Sequence, residues 1–381
     1  MHIAHLVTRF LRSGSEENTI ETCRWQVNAG HQVTLVVGAD MDPWWMENAP
    51  DGVNLVSVPQ MIHPVHPLAD VSAYKALRDL LRQSQPDVVH THQSKAGILG
   101  RAAAAATPGA MVVHGIHILP FVGVHPVKRA VYLAAERMAA RRTDLFLGVS
   151  DAVCDAYISE GIARQDRTFC VRSGMDLDRY RNGQMPKDWR PLLGIAPGDP
   201  KPPIVLMLAA LEPRKRHAEF LRAFAALAPT CPDLKILMAG AGPAQEDLKM
   251  LIAQLGLQDH VKLCGHRTDP ENLLHLSDST VLTSEREGLP RVVIQSLVAG
   301  RPVVMNDLPG LSEVLACGTN AVIHDKENLT GVAQTLCCLG KDPTFLHRLQ
   351  SGAKGTDVTA WSLNALGAET TRLYNMGRIA A

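Results

Sequence analysis

No charge of one sign prevails in this chain. Thirty-eight basic and 38 acidic residues cancel, so nothing favours nucleic acid as a partner, and any basic patch is local. No apolar run approaches the length of a membrane span. The N-terminus, Met1-His2-Ile3-Ala4-His5-Leu6-Val7, lacks the three regions of a signal peptide and leads straight into a strand-like segment. Eight cysteines are scattered without a C-x-x-C pair, so zinc-ligand spacing is absent. Reduced thiols and a cytoplasmic location are the expectation. H-E-x-x-H, the P-loop, Ser–His–Asp spacing and G-x-G-x-x-G are missing too. That leaves zinc peptidases, P-loop NTPases and enzymes with a dinucleotide fingerprint without support.

What is present is an α/β rhythm. The 381 residues suit two or three domains, and 46% apolar with 20% charged residues is the composition of a globular protein. Short apolar runs from His2–Val7 to Thr168–Arg172 alternate with helical patterns such as Ser15–Asn28 and Ser94–Ala106. The rhythm breaks between Asn182 and Pro203, where six prolines fall. It resumes with strands from Ile204–Leu208 to Pro302–Met305. Such alternation predicts parallel, doubly wound sheets. The division expected is a first Rossmann-like domain over 1–185, a linker over 186–203, a second Rossmann-like domain over 204–357 and a terminal helix over 358–381. Ligands of such sheets bind beyond the carboxyl ends of the strands, so the site is expected in a cleft between the two.

The stretch from Ser284 to Val304 carries the most chemistry. Glu287 precedes a Gly288-Leu289-Pro290 turn, and an amphipathic run follows. Pro290 suits a first helical position, where no amide hydrogen is needed. The helix start could then face an anion, with Arg291 in its first turn, while Glu287 accepts sugar hydroxyls. An acid that merely caps a surface helix is the competing reading of such a block in isolation.

Other polar groups fall at strand ends. Gly14 and Ser15 open a helix after the first strand, where backbone could approach a ligand or a plain capped turn could form. His90 and His92 lie two apart on an extended segment and point the same way, but no third metal ligand is evident. A polar rim for substrate hydroxyls is favoured, with His92 and Lys95 on the acceptor side. His117, after the fifth strand, could donate to a sugar hydroxyl or stabilise developing charge, although a satisfied structural histidine is the commoner fate of a lone one. Arg214-Lys215-Arg216 could neutralise a diphosphate, or form a solvated loop. The Asp40/Asp42 and Asp176/Asp178 pairs read as turn or cap residues. A basic amphipathic helix over Pro126–Arg142 could touch an anionic membrane surface, although a half-buried helix with a solvated face is the commoner case.

Together these residues resemble the GT-B-fold glycosyltransferases of family 4. The carriers are Ser13-Gly14-Ser15, Gly30-His31-Gln32-Val33, Asp87 to His92, Val149-Ser150, Ser173 to Asp176, Lys215, Gly240 to Pro243, Gly265-His266-Arg267 and, most specific, Glu287-Gly288-Leu289-Pro290. The resemblance implies two Rossmann-like domains facing across a cleft. It implies a retaining, metal-independent transfer of a hexose-type sugar from a nucleoside diphosphate, such as a UDP- or GDP-sugar, to a glycan, lipid-linked or small-molecule acceptor. No cofactor is implied. Glu287 then matches the first acid of the family's E-x7-E motif, which holds the donor sugar. Gln295 stands where the second acid, a ribose ligand, usually sits. Lys215 matches the lysine on the diphosphate, Gly14 the glycine loop beneath it, and His117 a histidine of the sugar pocket. Ala210 stands where an arginine usually accompanies the lysine, with Arg214, Arg216 or Arg291 as candidate replacements. The competing readings are a non-catalytic sugar-nucleotide-binding protein and a sugar-nucleotide epimerase.

Overall fold

The structure is a computed structural model that describes residues 1–11, 14–287, 290–308 and 310–380. The chain divides into two compact units: Met1–Met175 with Thr359–Ala381, and Asp176–Val358.

In the first unit, strands β1 (His2–Phe10), β2 (Gln32–Met41), β3 (Val53–Ser57), β4 (Val88–His92), β5 (Met111–Ile116), β6 (Leu145–Gly148) and β7 (Thr168–Cys170) form a parallel sheet among the described residues. Its order is β3-β2-β1-β4-β5-β6-β7. The near-continuous apolar strands need cover on both faces, and helices supply it. Helix Pro67–Ser84 starts at Pro67, with His66 capping the amide of Ala69, and buries Ala73, Leu77 and Leu81. Helix Leu363–Ala380 puts Leu366, Leu373 and Tyr374 into a core with Ile3, Val88 and Val113. It lies so close to helix Gly14–Asn28 that a Cβ on Gly367 would fall 2.1 Å from the Trp25 ring. The chain end thus completes the first unit.

One ion pair lies wholly inside this unit. Arg101 is 0% exposed, and its Nη2 donates to Glu136 Oε2 at 2.6 Å while Nε donates to Gly97 O at 2.7 Å. Removing one partner of a buried pair strands the other charge. Glu136→Ala should therefore cost about 3–5 kcal/mol, read as a lower midpoint in urea unfolding. A loss below about 1 kcal/mol would mean that water or another group takes over the arginine.

The second unit carries β8 (Ile204–Leu208), β9 (Lys235–Ala239), β10 (Val261–Gly265), β11 (Ser279–Leu282), β12 (Val303–Asn306) and β13 (Ala321–His324). Among the described residues they form a parallel sheet of order β10-β9-β8-β11-β12-β13. Strand β13 has no counterpart in the sequence reading, which ended its series at Pro302–Met305. Residues 186–203, read as a linker, carry helix Trp189–Leu193, and Trp189, Leu192, Leu193 and Ile195 belong to a core of this unit with Leu206 and Leu237. The prolines there punctuate a short helix and its loops. The expectation of reduced thiols also meets a difference: Cys231 and Cys337 are joined as a disulfide, 106 residues apart in sequence. No local spacing announces such a pair.

Candidate active site

In both sheets the chain leaves the central strand in opposite directions. The second unit runs from β8 outward to β9 and β10, then returns on the other side of β8 with β11, β12 and β13. The loops after β8 and β11 therefore diverge at the carboxyl edge, which is where open α/β sheets bind ligands.

The loop after β8 is pinned from below by the one after β9. Gly240 has φ +155°, and a Cβ there would lie 2.0 Å from Ala209 O; one on Gly242 would lie 2.4 Å from Leu211 O. Those close approaches need glycine. They let Leu211 N bond Ala241 O at 3.0 Å and Ala244 N bond Leu211 O at 3.0 Å. A single 3-10 turn, Pro213–Lys215, follows and closes at Arg216 with φ 57°.

The loop after β11 is tied to this turn by two hydrogen bonds. Glu285 N donates to Arg214 O at 2.8 Å, and Thr283 Oγ1 donates to Lys215 O at 2.9 Å. Asn306, at the end of β12, donates to Ser284 O at 3.0 Å. So held, the loop presents Glu287 to Lys215. The Lys215 ammonium donates to Glu287 Oε1, and both side chains are 12% exposed. Arg214 Nη1 lies 3.5 Å from Glu287 Oε2, while its Nε donates to Glu212 at 2.8 Å. Arg216 turns away to Lys326 O and Glu327. Of the candidate replacements for the cation missing at Ala210, Arg214 is thus the one beside Lys215 and Glu287. Arg291 opens helix Arg291–Val298. Beneath the cations, burial first and Lys215 second lower His217 to about 4, so this histidine adds no positive charge at neutral pH.

Pro290 is the N-cap of helix Arg291–Val298, with φ −70° and ψ 111°, rather than its first helical residue. Gln295 is buried on that helix and donates through Nε2 to the Tyr180 hydroxyl at 2.9 Å. Among the described residues this leaves its amide oxygen to accept a bond. Gly288, Leu289 and Ser13 lie outside the described residues, as does the side chain of Ser15. Gly14 is the first residue of helix Gly14–Asn28.

The structure places the two acceptor-side candidates, His92 and Lys95, in different settings. His92 is 3% exposed and belongs to a buried histidine cluster rather than to a solvent-facing rim, because it sits on a central strand. Lys95 donates to Pro64 O and to Asp70 Oδ1, the latter at 2.5 Å. His117 is half-buried and shares a 2.9 Å bond with His92. Asp42 accepts from Trp44 N in a turn, and Asp176 accepts from Arg179 N as the cap of helix Leu177–Arg181. The sequence reading missed Tyr180, Thr283 and Asn306, whose roles depend on backbone positions far away in sequence.

Two family descriptions match the chain: "Glyco_trans_4_4: Glycosyl transferase 4-like domain" over residues 13–173, and "Glycosyl transferases group 1" over residues 195–356. The chain belongs to the group 1 glycosyltransferases. The glycosyltransferase is 26% identical over 313 residues to the UDP-Gal:alpha-D-GlcNAc-diphosphoundecaprenol alpha-1,3-galactosyltransferase of Escherichia coli, covering 81% of this chain and 80% of that one. Its fold is that of Anabaena HepE, in a crystal structure with UDP and glucose (TM-score 0.81, 20% identity, 99% of this chain and 100% of that one). It is likewise that of sucrose-phosphate synthase from Thermosynechococcus elongatus (TM-score 0.82, 18% identity, all of both chains). These are GT-B proteins, as expected for two parallel α/β units. Among the described residues no helix is long and apolar enough to cross a membrane.

Proposed function

We propose that the glycosyltransferase moves a hexose from a uridine-diphosphate sugar to a glycan or lipid-linked acceptor, with retention at the anomeric carbon. The observation that carries this reading is the Lys215–Glu287 pair at the switch point of the second sheet. One loop offers a cation for a diphosphate, and the adjacent loop offers a carboxylate for sugar hydroxyls. When the donor arrives, Lys215 exchanges Glu287 for the diphosphate, and Glu287 accepts hydroxyls of the sugar. Arg214 adds a second positive charge beside them. The Gln295 amide oxygen accepts a ribose hydroxyl.

These placements support a front-face transfer. The acceptor oxygen bonds to the anomeric carbon on the face from which the diphosphate oxygen leaves. The hydroxyl proton passes to that departing oxygen, and Lys215 and Arg214 stabilise its charge. The galactosyltransferase relative, whose name specifies a UDP-sugar and a diphosphoundecaprenol acceptor, supports a uridine donor and glycan assembly. The presence of UDP and glucose in HepE also supports a uridine donor.

A melting-temperature panel of UDP-glucose, UDP-galactose and GDP-mannose tests the donor, since a ligand of the native state raises the midpoint. A UDP-sugar should raise it most; no response to any of the three would overturn the donor assignment. Proton NMR of the product tests retention, and an inverted anomer would overturn it. Helix Pro126–Ala140 exposes Val127, Val131 and Met138, with the exposed Lys128 next to Val127, which supports contact with an anionic membrane surface. Sedimentation with vesicles containing anionic lipid should carry the protein down; absence from the pellet would reject the contact.

A further inference from the structure

The first unit contains a line of imidazoles with a definite direction. His5 on β1 pairs in register with His90 on β4, and His92 follows on the same face. His92 stands opposite Gly115 on β5. A Cβ on Gly115 would lie 2.9 Å from His92 Nδ1, 3.0 Å from His90 Nε2 and 3.3 Å from His117 Nε2. Only glycine there lets the rings meet.

Three bonds link them. Gln26 Oε1 lies 2.8 Å from His5 Nε2, His5 Nδ1 lies 2.9 Å from His92 Nε2, and His92 Nδ1 lies 2.9 Å from His117 Nε2. Gln26, His5 and His92 are buried, and His117 is half-buried. Burial lowers His5 and His117 to about 4 and His92 well below its ordinary value, so all three rings are neutral at pH 7. A neutral imidazole carries one N–H and one lone pair. With the Gln26 amide assigned so that its oxygen faces His5 and its Nε2 is buried without a partner among the described residues, His5 Nε2 carries the proton and His5 Nδ1 the lone pair. His92 Nε2 must then donate to His5, which leaves His92 Nδ1 to accept. His117 Nε2 donates to it in turn. His117 Nδ1 is left with the lone pair, and among the described residues it takes no hydrogen bond.

We infer that Gln26, His5 and His92 are positioning residues that fix His117 in its Nε2–H form, so that Nδ1 accepts a hydrogen bond from a sugar hydroxyl at the carboxyl edge of the first sheet. The functional half of this inference rests on the proposed sugar transfer; the tautomer does not. The sequence reading had His117 donating to a hydroxyl or stabilising developing charge. The relay assigns it the opposite polarity: it selects an oxygen that carries hydrogen, and it turns away phosphate or carboxylate oxygens. A cation among His5, His90 and His92, whose nitrogens gather closely enough for one, could take His90 Nε2, unpartnered among the described residues, but would have to take His5 and His92 nitrogens that these bonds already use.

Long-range proton–nitrogen correlation NMR on the full chain, labelled at histidine, reads each tautomer directly. His5, His92 and His117 should all appear as Nε2–H at pH 7.5, unchanged by EDTA. An Nδ1–H form at His117 would overturn the relay, and a change on adding EDTA would replace it with a metal site. In Gln26→Met, which keeps the bulk and removes the acceptor, His117 should become a mixture of forms. The KM of the sugar-bearing substrate should rise about fivefold to tenfold with kcat within twofold, as for a lost neutral hydrogen bond. An unchanged KM alongside mixed tautomers would overturn the functional half. Should Gln26→Met fail to fold, the wild-type spectrum still decides the tautomer. A wild-type chain that transfers no sugar yet shows the three Nε2–H signals would refute the proposed function and leave the relay standing.

Discussion

Lys215→Ala should lower kcat by about 10²–10³-fold, the loss seen when a single anion-stabilising donor is removed from a reaction centre. The variant should fold. Lys215 and Glu287 are 12% exposed, and Arg214 remains 3.5 Å from the carboxylate, so Glu287 is not left without a cation. The loop is also held by backbone and hydroxyl bonds at Thr283, Glu285 and Asn306 that do not involve the lysine ammonium. Steady-state kinetics with a UDP-sugar, together with circular dichroism, checks both halves. Turnover within threefold of wild type would remove Lys215 from the leaving group. Glu287→Gln separates the two residues. It should also cripple transfer, but through the sugar, so the affinity for free UDP should stay within a few-fold of wild type. Lys215→Ala should weaken UDP binding itself.

The parallel sheets were legible because buried parallel strands are near-continuous apolar runs, and Ile204–Leu208 and Met111–Ile116 read that way on both faces. Strand β13, Ala321–His324, was not. Its four residues follow a glycine turn with no helical pattern before them, too little signal to separate a strand from a loop. Glu287, Lys215 and Gln295 could be named from the sequence because each lies in a local block. Their partners could not. Tyr180 meets Gln295 across 115 residues, and Arg214 and Arg216 differ only in which way the 3-10 turn points them. His90, His92 and His117 could be named from the sequence, but their link through His5 was invisible for a different reason. His5 lies inside an apolar strand and looks like a polar interruption, and only the β1–β4 register brings it to His90 and His92. Register is a product of tertiary packing.

Acidification should unfold the first unit before the second. Burial, the largest cause, holds His5 and His117 near 4 in the folded chain, against an ordinary value of 6.5, and keeps His90, His92 and His114 well below theirs. A lowered histidine pKa means that the unfolded chain binds more protons between pH 6.5 and 4. Stability therefore rises with pH across that window and is lost as pH falls through it. At pH 5 each histidine with a native value near 4 costs on the order of 2 kcal/mol, a large share of a stability of about 5–15 kcal/mol. Among the described residues the second unit has one comparable group, His217, also near 4. Amide hydrogen exchange on the full chain distinguishes the two. Between pH 7 and pH 5, after correction for intrinsic rates, β1, β4 and β5 should lose far more protection than β8, β9 and β11. Equal losses in the two sheets would mean that the histidine line is not what acid attacks. Protection of β1 and β4 kept down to pH 4.5 would mean that these rings take up protons without cost, and that they are not neutral, buried and bonded to one another in the native chain.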